Sequence, residues 1–377
     1  MGKGLALLGW AAAGELPPAV AAALGFATAP PGTAPSSRPS HRDGIMTGMA
    51  VAPSAPTIEQ TASRLADLLT YNGGALADPT RHDLLFEPDI VLRPLTRLAP
   101  PDDVWAVDGG QAVVADARSV AIVVTRTSRV RWRHGRCQLE EEGDLRPQLV
   151  GCGEERSAIL AYGIPVRPDA VVDIGLLRDW GEWEAVARSV EEADGPGALV
   201  LVDGDLEPDW RLPPLWLEAL LTRAATLGVW VAGVTKHSSL ARGGAPLLGQ
   251  LERRAEQELG ERAMWWARVA STRPDSGPTR QVLAARLDPD ARFSFRIDLP
   301  VEVDAEMALG ALAALADDAA FPGYPYPLSV ADRLAACPPW VKADVWAQLE
   351  ERLDQAGVPL DVRERAFADR HRLMERA

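Results

Sequence analysis

A chain of 377 residues, 47% apolar and 24% charged, is long enough to bury a full core and has the composition of a soluble globular protein. Its formal net charge of −14 excludes attraction of nucleic acid or acidic membrane by the whole-molecule field, so any polyanion must be held by a local basic patch, by metal ions or by a second protein. Three cysteines, Cys137, Cys152 and Cys337, an odd number with no CxxC spacing, indicate neither a zinc site nor a disulfide framework and fit a reducing cytoplasm.

The N-terminal GLALLGWAAAG is weakly signal-like, but Glu15 and a proline-rich continuation replace a cleavage region. No apolar run approaches the roughly 18 residues that a membrane helix needs. Residues 27–57 are largely Pro, Ala, Ser and Gly, so residues 1–55 are expected to be a disordered tail. Met46 and Met49 lie near its end, which raises the possibility of a downstream start. Residues 56–340 are expected to form the main domain, and 341–377 a helical C-terminal part.

Residues 58–70 carry apolar positions at helical spacing, and 85–99 are extended and interrupted by proline. DVWAVDGG reads as a buried strand that ends in a turn. QAVVADA is then a second strand and RSVAIVVTRT a third, with SRVRWR as a continuation. The charged stretch over 134–157 reads as a loop or insertion. A helix is predicted over 176–193, and GALVLVDGD is an almost wholly apolar strand of the kind found in the buried middle of a sheet. A helix with prolines at its start and the strand VWVAGVTK complete the core. Three consecutive strands followed by helix, strand, helix, strand predict an α/β, ribonuclease H-like mixed sheet, three strands antiparallel and two parallel, with flanking helices. The remainder is expected to decorate it: a helix near 248–259, strands near 263–270 and 280–299, and helices near 304–317, 328–336, 341–354 and 360–375.

In that arrangement the first and fourth strands are neighbours, so Asp108 and Asp203 emerge together at one sheet edge. Like charges at such a distance require a proton or a cation between them. Hard oxygen ligands suit magnesium or manganese, and two ions roughly 4 Å apart would clamp an in-line phosphoryl displacement. A plain turn after each strand is the competing reading of both Asp-Gly pairs.

WAVDGG, LVLVDGDL (199–206), VAGVTKHSSL (231–240) and GYPYPLSVADRL (323–334) together resemble the motifs of the NurA nucleases, in their order and spacing. The resemblance spans roughly residues 85–337. It implies a ribonuclease H-like core, a homodimer and a manganese-dependent DNA nuclease. The implied activities are 5′→3′ exonuclease and single-strand endonuclease, exerted beside a hexameric HerA-type ATPase during end resection for recombinational repair. It places Asp108 and Asp203 as metal ligands, with Glu184 as the helix glutamate and Glu182 as second choice. Tyr324 matches the tyrosine of the GYP segment, and Asp332 stands where archaeal members carry a histidine, as a further ligand or a neighbour of the metal site. A buried aromatic and an exposed helix start are the competing readings of these two.

Lys236, one of only three lysines, is a candidate for pairing with a scissile phosphate, or else a solvated strand-end residue. Arg129, Arg131 and Arg133 alternate, and so share one strand face as a candidate phosphate-tracking stripe or a charged edge. Trp105, Trp230 and Trp265 lie in apolar runs and are expected in the core. The expected function is metal-assisted hydrolysis of DNA phosphodiesters with two Mn²⁺ or Mg²⁺ ions, in the cytoplasm and without membrane contact. Two rivals stand beside it: a catalytically weakened docking subunit of the ATPase, and an actin-like ATPase or kinase on the same core.

Overall fold

The apolar run that begins at Val104 becomes a strand because its residues alternate between two buried faces. Val104 and Ala106 enter one core with α-helices of the C-terminal half, and Trp105 and Val107 enter another on the opposite side. The computed structural model describes residues 57–71, 73–151, 171–273 and 279–368. The chain divides into two compact units, residues 1–63 and 64–377, and the sheet and the site belong to the second. The expected N-terminal tail, Cys152 with the rest of 152–157, and the end of the last expected helix lie outside the described residues.

The principal strands are β1 (Asp103–Asp116), β2 (Ala121–Arg133), β3 (Arg136–Glu142), β4 (Arg146–Val150), β5 (Leu199–Asp203), β6 (Trp230–Thr235), β7 (Trp265–Thr272), β8 (Arg280–Arg286) and β9 (Phe295–Pro300). The helices are α1 (Ile58–Thr70), α2 (Ile174–Glu192), α3 (Pro214–Leu227), α4 (Leu247–Leu259), α5 (Ala305–Ala313), α6 (Tyr326–Ala335), α7 (Pro339–Gln355) and α8 (Leu360–Phe367). None of the described helices is long and apolar enough to cross a membrane.

One eleven-stranded sheet runs β7–β8–β9–β6–β5–β1–β2–β3, with β4 also pairing β2 and two short strands, Leu84–Phe86 and Arg93–Pro94, on β7. β5 is parallel to both β1 and β6, and the other pairings are antiparallel. The ribonuclease H-like core is therefore present: a meander, then two parallel strands reached through α2 and α3.

Three expectations need correction. The first strand does not end at Asp108. It runs on through both glycines to Asp116, because β2 pairs with it along its whole length. What stops at this level is β5, whose pairing with β1 reaches only Val107–Val202. The stretch expected as an insertion supplies β3 and β4, so the meander is one strand out of step with the sequence reading. The strands near 263–270 and 280–299 are not decoration. They form β7, β8 and β9 and widen the same sheet through β6.

The two sheet faces carry separate cores. Leu199, Leu201, Ala232, Val234 and Ile297 face α5 and α6, whereas Val200, Val202 and Val231 face α2 and α3. Trp105 and Trp265 are fully buried, and Trp230 is partly buried against the core.

Candidate metal centre

Parity along the strands decides where the carboxylates point. Asp108 follows Val104 and Ala106, and Asp203 follows Leu199 and Leu201, so both leave the sheet on the face covered by α6. Asp332 sits on α6 itself. Carboxylate oxygens of Asp108, Asp203 and Asp332 all lie within 4.8 Å of one another, with Asp108 buried, Asp203 half-buried and Asp332 exposed. Helix α6 is tied down at this spot by the buried Ser128 hydroxyl, which donates to the Ala331 carbonyl at 2.7 Å.

The two glycines after Asp108 make room for the helices on either side. A Cβ on Gly109 would stand 2.5 Å from Cγ of Glu182 on α2, and one on Gly110 would stand 1.8 Å from the carbonyl oxygen of Ala335 on α6. The glycines thus serve close helix-to-strand approach on opposite faces, not a turn.

Electrostatics follow from this crowding. Burial, and then the like charge of Asp203, push the Asp108 carboxyl up to about 7, against a 2.7 Å hydrogen bond from the Gly109 N–H and the nearby Lys236 ammonium. Burial raises Glu182 well above the carboxylate range; Arg178 opposes this, while the charges of Asp108, Asp179 and Asp203 add to it. Lys236 Nζ lies 2.6 Å from Asp203 Oδ2 and 2.6 Å from Asp332 Oδ1, and 5.2 Å from the centre of the Tyr324 ring. Burial works against the ammonium, but these two carboxylates hold it above its ordinary value. Tyr324 is 2% exposed; its hydroxyl faces Asp203 without a well-formed hydrogen bond and is raised by burial and by the charges of Asp203 and Asp108.

Three clustered carboxylates with a cation already drawn between two of them form a hard-oxygen donor set that fits a divalent metal.

Two groups of sequence candidates fall elsewhere. Glu184 lies 3.8 Å from Arg146 on β4 and is not in the carboxylate cluster. Residues two apart on a helix point about 200° apart, so when Glu182 faces Gly109, Glu184 must face away. Of the two, only Glu182 approaches the centre, across Gly109 and within reach of the charges of Asp108 and Asp203, and it too lies outside the cluster of three carboxylates. Replacing Glu182 by Gln is expected to lower nuclease activity on the order of 10–100-fold, as loss of a group that orients a metal site does. Glu184→Gln, which loses only a half-exposed ion pair, should stay near wild type. Equal losses in the two variants, measured as initial cleavage rates, would reverse the assignment.

Arg129 and Arg131 do not form a free phosphate stripe. Their face is the one covered by α2, where Arg129 pairs with Glu141 at 2.6 Å and Glu192 at 3.0 Å. Arg131 pairs with Asp103 at 2.8 Å and Asp194 at 3.0 Å, and both guanidinium groups stack over Trp105. Arg133 pairs with Asp194 as well. The alternation that suggested a nucleic-acid contact is an internal ion-pair ladder. The carboxylates that neutralise it come from distant parts of the sequence.

Arg178 was missed by sequence reasoning. It stands one helical turn before Glu182, its Nε 3.5 Å from that carboxylate, and its side chain borders Gly109 at the edge of the centre. An Arg–Glu pair at i,i+4 on the predicted helix was the available signal.

A mixed sheet of this topology, with carboxylates gathered where its central parallel strand ends, defines a ribonuclease H-like nuclease. Residues 102–337 match the NurA domain family, and the chain belongs to that family. It is a nuclease, a hydrolase acting on DNA. The NurA nuclease from Sulfolobus solfataricus has the same fold, with 13% identity and a TM-score of 0.51 over 79% of this chain and 95% of that one. A crystal structure of NurA with manganese matches at 10% identity and a TM-score of 0.43, over 70% of this chain and 91% of that one. Human ENDOV matches at 15% identity and a TM-score of 0.35, covering 62% and 83%. No protein with curated annotation matches the chain in sequence.

Proposed function

We propose that this protein hydrolyses DNA phosphodiesters with divalent cations, Mn²⁺ or Mg²⁺ and two in number, held by Asp108, Asp203 and Asp332. The observation that carries this reading is the convergence of those three carboxylates, which come from residues far apart in sequence. Bound there, the cations would supply a water of lowered pKa and neutralise charge developing on the phosphate. Glu182, in place of Glu184, stands behind Asp108 across Gly109, where burial and the neighbouring carboxylates favour its protonated form. Tyr324 aims its hydroxyl at Asp203 and keeps its own proton, so it can donate to a phosphate oxygen or orient the attacking water. Lys236 is half-exposed and faces the same centre, which suits it to pairing with the scissile phosphate.

The setting we propose with it is 5′→3′ exonuclease and single-strand endonuclease action, as a homodimer, beside a HerA-type hexameric ATPase in end resection and recombinational repair in the cytoplasm. The net charge of −14 and the neutralised Arg129–Arg133 ladder support reliance on such a partner, because the chain offers little positive field of its own.

The test is cleavage of a labelled DNA single strand with manganese, magnesium or chelator. Wild type should cut with a divalent ion and stop with chelator, and Asp203→Ala should lose on the order of 1,000-fold. Cleavage that persists in chelator, or in the variant, would remove the metal reading. No divalent-dependent cleavage by wild type would favour the docking-subunit reading, to which the engagement of Lys236 with two of the three carboxylates lends weight.

A further inference from the structure

We infer that Lys236 is the built-in counter-ion of the centre: its ammonium holds Asp203 and Asp332 together when no divalent ion is bound, and divalent ions must displace it to bind. The inference rests on the metal-centre reading above and adds to it a competitor carried by the chain.

The geometry is specific. Lys236 directly follows β6, which runs parallel to β5 with Asp203 paired opposite Val234, so the lysine stem rises beside the end of β5. Its Nζ lies 2.6 Å from an oxygen of Asp203 on the sheet and 2.6 Å from an oxygen of Asp332 on α6. It therefore spans the two structural elements that the centre must bring together. The Tyr324 ring lies 5.2 Å from the ammonium, a further cation-stabilising face. The same two carboxylates belong to the only group of three or more carboxylate, histidine or cysteine ligands that gathers for a metal among the described residues.

Two cations held by the same carboxylates at such a distance repel one another. Lys236 must therefore leave as a divalent ion enters. Once its carboxylates are engaged elsewhere, the ammonium is free at the same opening to meet a phosphate. A single lysine would then keep the metal-free site assembled and, after displacement, contact DNA.

Isothermal titration of the full-length protein with Mn²⁺, without DNA, tests this on wild type, Lys236→Met, Lys236→Arg and Asp203→Asn. Lys236→Met should bind Mn²⁺ at least about tenfold more tightly than wild type, because the competing charge is gone. Lys236→Arg, which keeps the charge, should stay close to wild type. In chelator, Lys236→Met should unfold at a lower temperature than wild type, and added Mn²⁺ should close that gap. Unchanged or weaker Mn²⁺ binding by a folded Lys236→Met would overturn the inference while leaving the metal centre standing. If Asp203→Asn binds Mn²⁺ as wild type does, the metal-centre reading fails and this inference falls with it.

Discussion

Asp108→Asn is expected to lower nuclease activity on the order of 1,000-fold and, at the same time, to make the metal-free protein more stable at neutral pH. The two effects share one cause. The buried Asp108 carboxyl titrates at about 7 in the fold and near 3.8 as an ordinary carboxylate. The folded state thus binds this proton more tightly than the unfolded chain, so stability is fully present below the lower value and falls as pH rises from about 4 to 7. Above pH 7 the whole penalty is in force. Asparagine fills the same space without a charge and removes the penalty, worth on the order of 2–4 kcal/mol at 1.36 kcal/mol per unit of pKa. Denaturant unfolding in chelator at pH 5 and pH 8 should show the variant ahead of wild type by much more at pH 8. Saturating Mn²⁺ should then stabilise wild type but not the variant. A variant less stable than wild type in chelator at pH 8 would refute the electrostatic account of this site.

Gly110→Ala should be the most damaging small substitution on β1, and Gly109→Ala should separate stability from activity. At Gly110 the added methyl meets backbone, the Ala335 carbonyl oxygen at 1.8 Å and its carbon at 2.7 Å, so α6 must move away from the sheet. Overpacking of this kind against a backbone that cannot step aside costs about 3 kcal/mol or more. The displaced helix also carries Asp332, so cleavage should fall with stability. At Gly109 the methyl meets the Cγ and Cδ of Glu182 at 2.5 and 2.8 Å, atoms of a side chain that can swing out. Thermal stability should then change by less than about 1.5 kcal/mol, while activity drops toward that of Glu182→Gln. Melting curves and cleavage rates for the two variants check this directly. Equal stability losses would mean that the helices do not approach β1 as described.

Much of the architecture was legible in the sequence because it depends on local periodicity. The apolar runs before Asp108 and Asp203 are strands in the middle of a sheet, and the residues of α1, α2 and α3 repeat at helical spacing. Consecutive strands and crossovers obey few topologies, so adjacency of the first and fourth core strands followed from their order alone. The tertiary structure decided what depends on partners distant in the chain. It carried β1 through its glycines because β2 pairs beyond them, and it turned the supposed insertion into β3 and β4. Helix phase turns Glu182, and not Glu184, toward Gly109, a difference of about 200° that no single sequence specifies. The arginines of β2 found their carboxylates on β1, β3 and α2 and just beyond it, and so became internal pairs. Residue types and their order along a strand set which atoms leave on a common face; only the folded chain sets which charges those atoms meet, because Coulomb partners are chosen by distance in space.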